Sequence, residues 1–381
     1  MGSFVRVGLL GPITWRTPPR RYGPWEQVVA HLARGLVARG HEVTLFATGD
    51  SQTTARLAWV CPRPLGEDPT LSPKVYEFLH MGHALAMARQ GAFDVLHNHL
   101  NAYPLVFSPL VDVPIVTTLH GSALLEPPTR TIYRRFAHLP YVSISDAERE
   151  GLPELRYVAT VYNGVDLAQF TYSPGPGRYL AFLGRMSAKK GAHLAVEVAR
   201  RTGIPLKMAA FVPPDEREFF DHEIRPHLDG RLVEYVGEVG PRERDEFLGG
   251  ALALLHLCTV PEPFGLALVE AMACGTPVIG TALGSVPELV RHGVTGWVVR
   301  NLAEAVEAVG RLERIDRQAC RRHVEAHFTV ERMVEGYERV YEAVLADRAE
   351  RNRPATASSS ARAGTGVSGP RRRKRKPSSP P

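Results

Sequence analysis

Short apolar runs that stop at glycine or proline, each followed by a stretch of helical period, recur along the whole chain. VRVGLL (5–10) ends at Gly11 and Pro12. From about Pro24 to Arg39, Val28, Leu32 and Leu36 then fall on one stripe, and Gly40 stands where a helix stop is expected. EVTLFAT (42–48) is the next apolar run. Strands that pair in parallel need a crossover between them, and the helix supplies it, so this βαβ beginning predicts a parallel sheet covered on both faces. DVLHNHL (94–100), PIVTTLH (114–120) and YVSIS (141–145) continue that sheet. After SPGPG (173–177) a second series opens, with strands at RYLAFLG (178–184), PLKMAA (205–210), LVEYVG (232–237), ALALLHL (251–257) and TPVIGT (276–281). Its helices are expected over Ala192 to Thr202 and about Gly265 to Ala273, and a last helix over about Val330 to Ala346.

At 381 residues the chain exceeds the usual size of one core. The pattern therefore predicts an α/β protein of two Rossmann-like doubly wound domains facing each other across a cleft. The expected division is 1–172, a linker at 173–177, 178–330, a helix at 331–347 placed to cross back to the first domain, and a disordered basic tail at 348–381. From Arg348 onward ten Lys and Arg stand against one acid, so the tail carries +9 and residues 1–347 carry −3 of the net +6. The tail's cluster at 371–376 suits an anionic membrane surface or nucleic acid, or serves solubility alone, and no specific nucleic acid is expected as a partner. No run approaches the roughly 18 apolar residues of a membrane span, and MGSFVRVGLLGP lacks the n-region of a signal peptide. The expected location is cytoplasmic, with peripheral contact at the inner membrane face. Cys61, Cys258, Cys274 and Cys320 are scattered without a C-x-x-C pair and read as reduced, buried thiols.

The densest chemistry lies in PEPFGLALVEAMACGTPVIG (261–280). Pro263 and Gly265 place a helix start between Glu262, in the loop ahead, and Glu270, about one and a half turns inside. The N–H groups of Phe264, Gly265, Leu266 and Ala267 then point out of the helix N-terminus, where phosphate or sugar oxygens are attracted. A carboxylate accepts two hydroxyl hydrogen bonds at once, so two of them flanking an anion site suit a polyhydroxylated, phosphorylated ligand. Spacing alone equally allows both glutamates to be capping or surface residues.

This segment resembles the E-x7-E signature of retaining glycosyltransferases with the GT-B fold, glycosyltransferase family 4. The resemblance extends through YGPWEQVVAHLARGLVARGHEVTLFATGDS (22–51), DVLHNHL, TLHG (118–121), SISDAER (143–149), VYNGVD (161–166), FLGRMSAKKG (182–191) and VPELVRHGVTGWVV (286–299), in the family's order. It implies that the second domain holds a nucleotide-sugar and the first receives an acceptor, which stays unidentified. By position, Glu270 matches the glutamate on the ribose hydroxyls and Glu262 the one on the transferred sugar, with the amides of Phe264 and Gly265 near that sugar. Arg185 and Lys190 match the pair that holds the diphosphate, where fixed cations stabilise the charge that builds on the leaving group. His120 matches the first domain's histidine facing the transferred sugar. Many relatives carry Gly-Gly where this chain has Gly23-Pro24; proline loses an N–H there, so contact from that loop falls to Gly23, Trp25 or Glu26.

His97 and His99 are expected to alternate across their strand so that only one faces the cleft, and Asn163-Gly164 reads as a turn beside it. The chain contains no D-x-D, the aspartate pair that clamps a divalent ion on a diphosphate, so no catalytic metal is expected and Arg185, Lys190 and the helix dipole take its place. No cofactor is expected either, the nucleotide-sugar being a co-substrate. A dinucleotide oxidoreductase needs G-x-G-x-x-G after the first strand, where Gly8-Leu9-Leu10-Gly11 stands instead. A non-catalytic nucleotide-sugar binder, or a phosphorylase or epimerase on the same fold, remains as an alternative.

Overall fold

A computed structural model describes residues 4–121 and 127–352. Seven parallel strands form the first sheet: β1 (Arg6–Leu10), β2 (Glu42–Phe46), β3 (Arg56–Ala58), β4 (Val95–Asn98), β5 (Ile115–Thr118), β6 (Tyr141–Ser143) and β7 (Tyr157–Thr160), in the order β3-β2-β1-β4-β5-β6-β7. Six parallel strands form the second: β8 (Tyr179–Arg185), β9 (Leu206–Phe211), β10 (Val233–Gly237), β11 (Ala251–His256), β12 (Val278–Thr281) and β13 (Gly296–Val299), in the order β10-β9-β8-β11-β12-β13. Val7, Leu9 and Leu10 of β1 are fully buried, as the apolar run requires of a strand covered on both faces.

Helices α1 (Pro24–Ala38), α2 (Pro73–Arg89) and α3 (Pro127–Arg135) accompany the first sheet. Helices α4 (Ala192–Thr202), α5 (Pro241–Gly249), α6 (Leu266–Ala273), α7 (Leu302–Val309) and α8 (Arg317–His327) accompany the second. The final helix, α9 (Val330–Arg351), packs on α1: Val330, Val334, Tyr337, Tyr341 and Val344 share a core with Val7, Leu9, Val28, Leu32 and Leu36 of the first half. Each such buried apolar side chain contributes roughly 1.5–3 kcal/mol over its exposed state. Thr329 caps the helix by accepting from the Arg332 N–H.

Two expectations need correction here. Composition puts the start of the tail at residue 348, but α9 continues to Arg351, because Ala, Glu and Arg are good helix formers and Arg351 pairs with Asp347 one turn back at 2.8 Å. The rest of the tail, with its cluster at 371–376, lies outside the described residues. The second correction concerns His97 and His99. A strand returns to the same face every second residue, so the two rings lie on one side of the sheet, 4.2 Å apart. No described helix is long and apolar enough to cross a membrane.

Candidate active site

Strand order reverses between β1 and β4 in the first sheet and between β8 and β11 in the second. At such a point the loops leaving neighbouring strands diverge and open a crevice beyond the carboxyl ends. The two crevices share one cavity of about 450 Å³. Gly23, His120, Arg185, Lys190, Glu262, Phe264, Gly265, Leu266, Ala267 and Glu270 all line it. Phe264 is buried in the second core.

Glu262 lies in the loop ahead of α6 and is 6% exposed. Three donors converge on its Oε2: the Lys190 ammonium, His256 Nε2 at 2.8 Å and the Cys258 thiol at 3.3 Å. Burial disfavours the carboxylate, but Lys190 and His256 outweigh it and hold Glu262 ionised, far below the usual carboxylate range. Burial likewise opposes charge on His256, yet Cys258 and Glu262 prevail and push its pKa up to about 9. Glu262 Oε1 has no partner among the described residues, which leaves it for a ligand in the cavity. Lys190 keeps two further ammonium protons for a neighbouring anion. Arg185, at the end of β8, is exposed, lines the cavity and is unpaired among the described residues.

Two glycines make this loop. Gly265 caps α6 at φ +81°, where a Cβ would also stand 2.7 Å from the Leu268 side chain. Gly284, at φ +60°, lies so close to the Glu262 backbone that a Cβ would be 2.3 Å from its carbonyl oxygen. The tight approach holds Glu262 in place while the first turn of α6, with no preceding turn to bond to, presents its N–H groups to the cavity.

Glu270 is buried within α6, and its Oε1 accepts from Arg244 Nη1 at 2.7 Å. Arg244 also donates to Gln27 Oε1 at 3.1 Å and to the Arg21 carbonyl at 3.2 Å, both on the first half. Nothing in PRERDEFLG set this arginine apart from a solvated charged helix. His256 and Cys258 were missed as well, although H-x-C-x3-E at the end of a buried strand was a legible signal.

On the opposite wall His120 follows β5, 6% exposed, its ring stacked on Trp25 with centroids 5.2 Å apart. Its Nε2 lies 2.9 Å from His99 Nδ1. Gly23 precedes α1, and Glu26 in the first turn accepts from the Trp15 N–H at 3.1 Å; burial pushes its carboxyl up to about 7. Tyr22 from this loop stacks on Phe211 at the end of β9, with centroids 5.3 Å apart. Asn163 lines the cavity too, with a buried Oδ1 that has no partner among the described residues.

Among the described residues, His256, Cys258 and Glu262 are grouped closely enough to hold a metal ion, with ligand atoms within 4.8 Å of one another. The Lys190 ammonium already stands on the same carboxylate oxygen. A second cation would have to displace that charge, so the group reads as a hydrogen-bonding shell around Glu262.

The family model for Glycosyltransferase Family 4 matches residues 25–169, and that for Glycosyl transferases group 1 matches residues 168–326. The chain is 27% identical to glycogen synthase of Mycobacterium tuberculosis, over 78% of this chain and 84% of that protein. It is 25% identical to N-acetyl-alpha-D-glucosaminyl L-malate synthase of Bacillus anthracis, over 84% of this chain and 94% of that one. Sucrose-phosphate synthase from Thermosynechococcus elongatus shares the fold, with a TM-score of 0.74 at 18% identity over 90% of this chain and 99% of that chain. Anabaena HepE, solved in complex with UDP-glucose, gives a TM-score of 0.69 at 18% identity over 90% of this chain and all of that one. Two parallel sheets with facing switch points and two family models that abut and together run from residue 25 to 326 agree: the chain is a glycosyltransferase of the GT-B fold and belongs to glycosyltransferase family 4, the group 1 glycosyl transferases.

Proposed function

We propose that the cleft binds a nucleotide-diphosphate hexose, UDP- or GDP-linked, and transfers the hexose with retention of anomeric configuration, and without a metal, to a hydroxyl of a glycan, lipid or small molecule. The observation that carries this reading is the convergence in one cavity of two basic side chains, Arg185 and Lys190, the N-terminus of α6, and the carboxylates Glu262 and Glu270. An anion with hydroxyl groups on either side of it complements that arrangement. The likeness in fold to a protein solved with UDP-glucose supports the same choice.

In this reading Glu270 and Arg244 take the nucleoside end and the α6 N–H groups with Arg185 and Lys190 take the diphosphate. Glu262 Oε1 holds a hydroxyl of the hexose. The bond between the anomeric carbon and the diphosphate oxygen breaks as the acceptor oxygen bonds to that carbon on the same face. The acceptor's proton passes to the departing phosphate oxygen, whose growing charge Arg185 and Lys190 stabilise. In this reading Glu262, its Oε2 tied to three donors, holds the sugar through Oε1 and does not attack it.

A thermal-shift panel of UDP-, GDP-, ADP- and TDP-hexoses, each with and without a chelator, tests the proposal. A true donor at 100 times its Kd stabilises the fold by about 2.7 kcal/mol, a rise of several degrees in Tm that chelation leaves unchanged. A panel in which no nucleotide-sugar raises Tm would contradict the donor assignment, and a shift abolished by chelation would contradict metal independence.

A further inference from the structure

We propose that His99 sets the tautomer of His120, so that His120 presents an N–H donor, from Nδ1, to the cleft. His99 Nδ1 and His120 Nε2 are 2.9 Å apart, so one of the two carries the shared proton. His99 is fully buried and its other nitrogen, Nε2, has no partner among the described residues. Were His99 the acceptor, its proton would sit on Nε2 as a buried N–H with nothing to bond to, an arrangement that folded proteins avoid. With His99 as the donor, only a bare ring nitrogen is left unpaired. Neutral His120 then accepts at Nε2 and must hold its own proton on Nδ1.

The neighbouring His97 cannot relieve this. His97, packed against the His99 ring at 4.2 Å, has both nitrogens engaged, Nδ1 by the Tyr341 hydroxyl and Nε2 by the Thr118 hydroxyl, each at 2.8 Å. It has no nitrogen to offer His99 Nε2. Burial keeps both members of the pair uncharged, His120 down to about 3 and His99 well below its ordinary value. Trp25 stacks on His120 and fixes the plane of its ring. His120 Nδ1 has no hydrogen-bond partner among the described residues and is not sealed from the cavity that the residue lines. His99 is thus a positioning residue acting through His120. Resting on the proposed reading of the cleft, His120 donates to an oxygen of the transferred sugar and does not serve as a base toward the acceptor.

The test is ¹⁵N NMR of the full chain labelled at histidine, with His120→Gln identifying the His120 signals. In the wild type His120 should show a protonated Nδ1 and a bare Nε2. His99→Asn, whose amide supplies a donor near the lost Nδ1, should keep that pattern. His99→Leu should shift the averaged signals toward the Nε2–H form that free histidine prefers. A wild-type His120 protonated on Nε2, or a His99→Leu protein with an unchanged pattern, overturns the proposal. Should His99→Leu fail to fold, the wild type and His99→Asn still decide it. The measurement uses no substrate, so its outcome is independent of the donor panel.

Discussion

At the scale of single residues, the shell around Glu262 makes stability depend on pH. His256 is held charged up to about 9, above its ordinary 6.5. Its contribution to stability is therefore present in full below about pH 6.5 and is lost as pH rises through about 9. Glu262 has the opposite sign, its pKa being lowered, so its contribution persists at high pH and is lost on acidification. Urea unfolding between about pH 6 and 10 should show stability falling toward the alkaline end, and His256→Gln should flatten that limb. The two ends of the cavity should also separate kinetically. Lys190→Ala removes a cation from the leaving group and should lower kcat about 10²–10³-fold. Glu270→Ala removes hydroxyl contacts and should weaken donor binding about tenfold or more with a smaller effect on turnover. Isothermal titration beside steady-state kinetics distinguishes them, and equal effects in both variants would contradict the assigned roles. At this scale Glu262 and Glu270 stand out by motif and spacing, and Lys190 only through the resemblance of FLGRMSAKKG to the family. His256, Cys258 and Arg244 were not read, because a side chain that matters through its partners leaves no local pattern.

At the scale of elements, strands and helices with strong apolar period were readable, α4 to the residue. Others were missed for physical reasons. β3 has three residues, too few for a period to register, and β7 is half-buried along its length. In α2 the buried face includes His80 and small alanines in place of a stripe of large apolar side chains. The start of α6 shows what one residue's conformation does for an element. Gly265→Ala must adopt φ +81° and press on Leu268, costing roughly 1–3 kcal/mol and tilting the N–H groups that face the cavity. Both a lower urea midpoint and a raised donor KM are expected. A substitution that left the two unchanged would show that the helix tip does not bind the donor.

At the scale of the whole molecule, the halves are joined at points beyond the chain connection. Ser145 Oγ donates to the Pro263 carbonyl at 2.7 Å, and Glu288 accepts from the N–H groups of Asp146 and Ala147 at 2.9 and 2.6 Å. Arg244 spans from Glu270 to Gln27, and α9 closes on the first core. Residues 353–381 are rich in Arg, Ser, Ala, Gly and Pro with no apolar period that could join either core, so deleting them should leave donor turnover within about twofold; a loss beyond tenfold would show that the segment belongs to the working enzyme. The sequence by itself determined the two doubly wound sheets and the helix tip flanked by glutamates, because these follow from periods and turn residues that act over a few positions. Tertiary structure alone decided that Lys190 meets Glu262, that Arg244 clasps Glu270 to the other half, and that His99 faces His120. Those pairings join residues tens or hundreds of positions apart, and only the packing of one sheet against its helices and across the cleft sets such distances.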